Sequence, residues 1–131
     1  MKISKRMAIL CTLMLACNYV SAQSQTSEPS QDPTAPFRLY RTTNFWTFIE
    51  LETTTGRMRQ IQFDVSGSSR GSTVLNSQDL AMGKDKHPGR FTLYPTSNMY
   101  TFILLDQVDG GTWQVQWAIE AINRLVLPIS D

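Results

Sequence analysis

The chain is poor in the residues from which most active centres are built. Its two cysteines, Cys11 and Cys17, both lie near the N-terminus, and His87 is its only histidine. Thiolate zinc sites, thiol nucleophiles and a disulfide framework are therefore excluded from everything beyond Cys17. No apolar run reaches the roughly 20 residues that a bilayer-spanning helix needs. Charge of one sign is also missing, with 12 Lys and Arg against 11 Asp and Glu and a net charge of +1. Without clustered basic side chains there is no footprint for nucleic acid and no polybasic signature for a membrane surface. No catalytic or cofactor motif stands out, and no metal or other cofactor is expected.

What the N-terminus does have is an address. Lys2, Lys5 and Arg6 precede the apolar stretch from Met7 to Ala16, and Val20-Ser21-Ala22 places small residues before Gln23. A basic start, a short apolar core and small residues at its end form an export signal, cleaved here after Ala22. The protein is expected to be periplasmic or extracellular. Lipidation at Cys17 is the less favoured alternative, because its upstream pattern is imperfect. Cleavage takes three of the 12 basic residues, leaving nine against 11 acidic ones. Glu28 and Asp32 then fall in the segment 23–36, which has three prolines and no large apolar residue. Such a stretch buries too little to offset its ordering and reads as a disordered spacer. Residues 37–131 remain, enough for one small domain.

That domain is written twice. Residues 37–65 align without a gap on 91–119, and 12 of the 29 positions are identical. Repetition implies a stacked or pseudo-symmetric architecture, here repeat 37–75, connecting loop 76–90 and repeat 91–131. Phe45 to Leu51 is aromatic and β-branched, with Thr47, Ile49 and Leu51 on one face. The second copy repeats that face as Thr101, Ile103 and Leu105, so Ile49, Leu51, Ile103 and Leu105 are expected to share the core. In the next strand Ile61, Phe63 and Val65 alternate with Gln60, Gln62 and Asp64, and in the twin Trp113, Val115, Trp117 and Ile119 alternate with Gln114, Gln116 and Ala118. Glu52 to Gly56 and Asp106 to Gly110 read as hairpin loops opened by an acid and closed by a left-handed glycine. Shorter strands at 37–41, 72–75, 91–94 and 125–129 complete the units. Ser77 to Met82 is expected to form one helical turn, capped by Ser77 and stopped by Gly83. The fold is all-β, with two tandem antiparallel units of about four strands each, packed as a pseudo-two-fold sandwich or small barrel. A pair of propeller blades is the other option, and it would require association of subunits.

Chemistry-bearing residues are few. His87 has no second histidine with which to hold a metal and reads as a loop residue. Glu50 and Glu52 could act as paired carboxylates in a hydrolase, but Glu50 becomes Leu104 in the second copy and Glu52 has a turn to cap. Ser66-Gly67-Ser68-Ser69 lacks the strand and helix of a nucleophile elbow. Binding is the better prospect. Trp46 and Tyr100 occupy equivalent positions, Tyr40 and Tyr94 recur, and so do Asn44 and Asn98, while Arg59 stands where the second copy has Trp113. Aromatic rings beside amides suit a protein interface or a glycan platform. Departures from the repeat (Trp46/Tyr100, Glu50/Leu104, Arg59/Trp113) are expected to mark the site.

The pattern Tyr-x-Thr-x-Asn-x-(Trp/Tyr)-Thr-Phe-Ile-x-Leu-(Asp/Glu), followed by Gly and Trp-Gln-Val-Gln, resembles a group of small exported bacterial β-repeat proteins with no assigned function. The resemblance covers both repeats. The first copy departs from it, with Glu52 for Asp and Arg59 where the second has Trp113. It implies export and β-architecture and carries no catalytic residue. The resulting expectation is a non-enzymatic binding protein of the cell envelope, foremost a protein-interaction module of the inhibitor or immunity type, with a small glycan-binding module as the alternative.

Overall fold

The structure is a computed structural model and describes Asp32 and residues 34–130. The expected leader 1–22, with Cys11 and Cys17, and most of the spacer lie outside these residues. The described part contains no cysteine and so no disulfide. Eight strands form two antiparallel meanders. β1 (Phe37–Arg41), β2 (Thr47–Glu52), β3 (Met58–Gln62) and β4 (Gly71–Asn76) make the first sheet. β5 (Phe91–Pro95), β6 (Thr101–Asp106), β7 (Thr112–Gln116) and β8 (Leu125–Ile129) make the second. The sheets stay separate, so the architecture is a two-sheet sandwich and not a barrel. Register is copied along with sequence: Tyr40 faces Ile49 as Tyr94 faces Ile103, and Glu50 faces Arg59 as Leu104 faces Trp113.

Both hairpin loops close as their residues dictate. Gly56 and Gly110 each have φ of 77°, in the left-handed region that a side chain resists. Each amide donates back across the loop, Gly56 to the Glu52 carbonyl at 2.9 Å and Gly110 to the Asp106 carbonyl at 2.8 Å. The expected helical turn at 77–82 does not form. The segment is a series of turns, organised by Asn76 and Asp79, whose side-chain oxygens accept the amides of Gln78 and Ala81. Such local bonds offer the backbone an alternative to helix, and Ser77 caps nothing.

The core corrects the expected pairing of faces. Ile49 and Leu51 are fully buried, together with Thr47 and Gln60 on the same face. In the second sheet the opposite parity is buried, namely Phe91, Leu93, Phe102, Leu104 and Val115. Ile103 and Leu105, expected in the core, are only half-buried. Ile61 is likewise only half-buried and Phe63 and Val65 are exposed, although Val115 and Trp117, their counterparts, face inward as expected. The cause is the hairpin register. Gln60 lies opposite Ile49, and Ile61 opposite Phe48, so the apolar rows of adjacent strands fall on different faces of one sheet. Each unit is half-apolar on both sides, and the two pack front against back.

A polar seam fixes that arrangement. Thr53, buried in the first hairpin loop, accepts the Phe91 amide at its carbonyl (2.8 Å) and the Gly89 amide at its hydroxyl (3.0 Å). Its own amide and hydroxyl donate to Pro36 and Ala35, so the end of the expected spacer is bonded into the domain. Arg90, just before β5, is buried against the second loop, and its Nη2 donates to Asp106 Oδ2 and Asp109 Oδ2, each at 2.8 Å. Asp106 Oδ1 takes the amides of Val108 and Asp109. Burial alone would raise the Asp106 carboxyl. The Arg90 hydrogen bonds and the two amides outweigh it and hold the group below the usual carboxylate range.

Candidate functional site

The chain between the first two strands of each unit turns a corner, and the same bonds build both corners. Thr42 Oγ1 donates to the Thr47 carbonyl at 2.8 Å, and Thr96 Oγ1 to that of Thr101 at 2.9 Å. Asn44 Oδ1 accepts the Trp46 amide at 2.8 Å, and Asn98 Oδ1 the Tyr100 amide at 2.9 Å. Asn44 and Asn98 are therefore braces that present the following aromatic ring. Replacing Asn98 by alanine is expected to cost about 1 kcal/mol and to broaden the Tyr100 ring signals in an NMR spectrum. Unchanged stability and signals would mean that the brace is dispensable.

The rings so presented differ between the two corners. In the first, Trp46 meets Phe45 edge-on at 5.0 Å and Phe63 at 5.2 Å, and Phe63 touches Phe48 at 6.0 Å. Phe45 is 76% exposed and Trp46 37%, so the aromatic cluster is open to solvent. In the second, Met99 replaces Phe45 and Trp117 replaces Phe63. Trp117 is buried, with its indole N–H on the Met99 carbonyl at 3.1 Å, and Tyr100 lies over it at 5.3 Å. Tyr100, Gln116, Trp117, Glu120 and Asn123 there line a cleft of about 290 Å³. Its polar wall is braced by Gln116 Nε2 on the Asn123 carbonyl at 2.9 Å and Asn123 Nδ2 on Glu120 at 3.1 Å.

The remaining candidates scatter. Tyr40 is half-buried at the sheet interface, its hydroxyl 3.2 Å from Thr92 Oγ1. Tyr94 is exposed on the outer face of the second sheet. Arg59 pairs across strands with Glu50 at 3.1 Å, on the outer face of the first sheet. Trp113 packs edge-on against Phe91 at 6.1 Å. So the substitution of Glu50 and Arg59 by Leu104 and Trp113 tracks burial: the same cross-strand pair is an ion pair where it meets solvent and apolar where a sheet covers it. Only Trp46 and Tyr100 remain as exposed rings at corresponding places. Phe45 and Phe63 join Trp46 in a cluster that strand patterning missed, since both read as strand-filling apolar residues.

The carboxylates of Glu50 and Glu52 border one cleft of about 340 Å³ on that outer face, along with Arg57 and Arg59. Both are engaged, Glu50 by Arg59 and Glu52 by the Thr55 hydroxyl at 2.7 Å and by Arg57 at 3.9 Å. His87 is exposed, with Nδ1 3.1 Å from the Pro88 carbonyl. Around the serine cluster, Asp64 accepts the Ser66 hydroxyl and the amides of Ser66 and Ser69. The Ser66 bonds, hydroxyl first, hold its carboxyl below the usual range. Among the described residues no three His, Cys, Asp or Glu side chains gather as a metal site, and no helix is long and apolar enough to cross a membrane. Comparison with protein-family models, with curated proteins and with solved structures finds no match.

Proposed function

We propose that the protein is exported and acts without catalysis as a protein-interaction module, of the inhibitor or immunity type, that grips its partner through the Phe45–Trp46–Phe63 cluster. The carrying observation is that cluster: Trp46 packs edge-on against both Phe45 and Phe63, and Phe45 and Trp46 stay open to solvent. Exposed aromatic groups of this kind anchor interfaces, because their large area is already held rigid before the partner arrives. The basic start and short apolar stretch of the leader support export. The cleft under Tyr100 favours a second reading, a glycan module, since a half-exposed ring beside an amide and a carboxylate suits a sugar face and its hydroxyls.

One set of measurements separates these readings. The protein, recovered from the envelope of expressing cells, should start at Gln23; a lipid-blocked Cys17 is the contrary result. Immobilised wild type should retain a defined envelope protein that Trp46→Ala retains at least about tenfold less well, the loss of a typical anchor residue. Retention of glycans that is lost in Tyr100→Ala but kept in Trp46→Ala would instead establish the second reading. A protein that retains neither overturns both.

A further inference from the structure

The contact between the two sheets uses two different surfaces, and each sheet owns both. The first sheet meets the second with the face that bears Tyr40, Ile49 and Leu51. The second sheet receives it on the face that bears Phe91, Leu93, Phe102 and Val115. Because the copies share sequence and register, the unused side of each sheet carries the other half of the same contact. On the outer face of the second sheet Tyr94, Ile103 and Leu105 repeat Tyr40, Ile49 and Leu51. On the outer face of the first, Phe37, Leu39, Phe48 and Ile61 stand where Phe91, Leu93, Phe102 and Val115 stand in the second. The counterparts differ sharply in exposure: Phe37 is 58% exposed and Phe91 0%, Leu39 45% and Leu93 3%.

We propose that a second copy of this chain docks here, the outer face of its first sheet seated on the outer face of this chain's second sheet, in a head-to-tail assembly. The internal sandwich contact is the template. Polar details repeat with it. Thr43 Oγ1 crosses between the sheets to the Met99 carbonyl at 3.2 Å; its counterpart Ser97 is exposed and keeps the hydroxyl, and the same contact would bring it to the Phe45 carbonyl of the next chain. Tyr40 spans the internal contact to Thr92, and Tyr94 keeps that phenol on the outer face. The Glu50–Arg59 ion pair replaces Leu104 and Trp113 at the centre of the free face. That pair is self-neutralised, so a docked sheet would cover it without leaving an unpaired charge.

A contact made from two unlike surfaces leaves one free copy of each surface on a pair of chains joined once. It propagates until the rotation between units closes a ring, or it remains an open filament. Radial rings of four-stranded sheets typically close at 4–8 sheets, which corresponds to about two to four chains of two sheets each. The assembly does not rest on the partner-binding proposal. Met99 and Tyr100 stay half-exposed on a sheet whose face is already covered, so Phe45 and Trp46 would also remain open, once per chain around the ring, while Phe63 would be covered as its counterpart Trp117 is.

Light scattering coupled to size exclusion, over a dilution series of the purified protein, tests this. Wild type should scatter as a discrete species of two to four chains or as a filament. Leu39→Lys, on one outer face, and Tyr94→Lys, on the other, should each disrupt it. Mixed together, the two variants retain one intact interface between them and should form a one-to-one pair and nothing larger. Circular dichroism melts confirm that each variant is folded, with Leu39→Ala or Tyr94→Ala substituted for a lysine variant that is not. A wild type that is monomeric up to several hundred micromolar overturns the proposal. So does assembly that only one of the two substitutions affects, since that is the mark of a self-complementary face.

Discussion

Replacing Asp106 by alanine is expected to destabilise the fold by about 3 kcal/mol near neutral pH, and the deficit should shrink in acid. The change leaves the buried Arg90 guanidinium without the carboxylate that takes two of its donors, at 2.8 and 3.2 Å. Unpairing a buried charge costs roughly 3–5 kcal/mol, and the low end applies because Asp109 still meets Arg90. The two loop amides that Oδ1 accepts are released as well. The pH dependence follows from the depressed Asp106 carboxyl. A group whose folded-state pKa lies below its unfolded value contributes fully above the unfolded value and loses that contribution as pH falls through the folded one. The wild-type advantage is thus complete above about pH 4, the ordinary aspartate value, and declines beneath it. Urea melts of both proteins across the acid range measure the gap. An equal gap at all pH values would show that Asp106 is not held ionised in the fold.

The second large effect is a contrast between neighbours. Leu104→Ala should cost about 2–5 kcal/mol, the range for emptying a packed core site, because Leu104 is wholly buried between the sheets. Ile103→Ala removes a larger share of side chain than Ile→Val would, yet from the half-buried outer face. It should cost the fold much less and weaken association of chains instead. In the first sheet the order reverses: Ile49→Ala should be severe, since Ile49 is buried, and Glu50→Ala mild. Denaturant melts of the four variants, with light scattering to follow association, decide the matter. If Ile103 and Ile49 proved equally costly to the folded chain, the front-to-back packing would be wrong.

That contrast also marks how far the sequence could be read. Strand positions, hairpin loops and the closing glycines Gly56 and Gly110 were legible, because period-two alternation and left-handed turns leave local signals. The choice of buried face was not. Patterning of β2 alone points Ile49 and Leu51 inward and patterning of β3 alone points Ile61 and Phe63 inward, but the cross-strand register makes these demands incompatible on one side of the sheet. Only the neighbour decides which row is covered, and the two copies have different neighbours. Gln60 shows the same limit. It reads as a solvated strand residue, yet it is buried beside Ile49, with its side-chain carbonyl unpartnered among the described residues. Trp46 and Tyr100 were legible as candidates from their place in the repeat. The cleft below Tyr100 was not, since Glu120 and Asn123 lie beyond the aligned segment. Arg90 was hidden for a related reason: its counterpart in the first copy is Pro36, so the repeat gives no sign of a buried guanidinium.

The bonds that converge on Thr53 have a consequence for how the molecule comes apart. The loop of the first unit holds the first strand of the second by its backbone, Thr53 carbonyl to Phe91 amide at 2.8 Å, while Leu80 in the connecting segment donates to Thr55 at 2.8 Å. Opening either unit therefore strips hydrogen bonds and apolar cover from the other at the same moment. Two copies of one sentence should accordingly unfold in a single cooperative transition, and the boundary between them is a seam of the fold rather than a hinge.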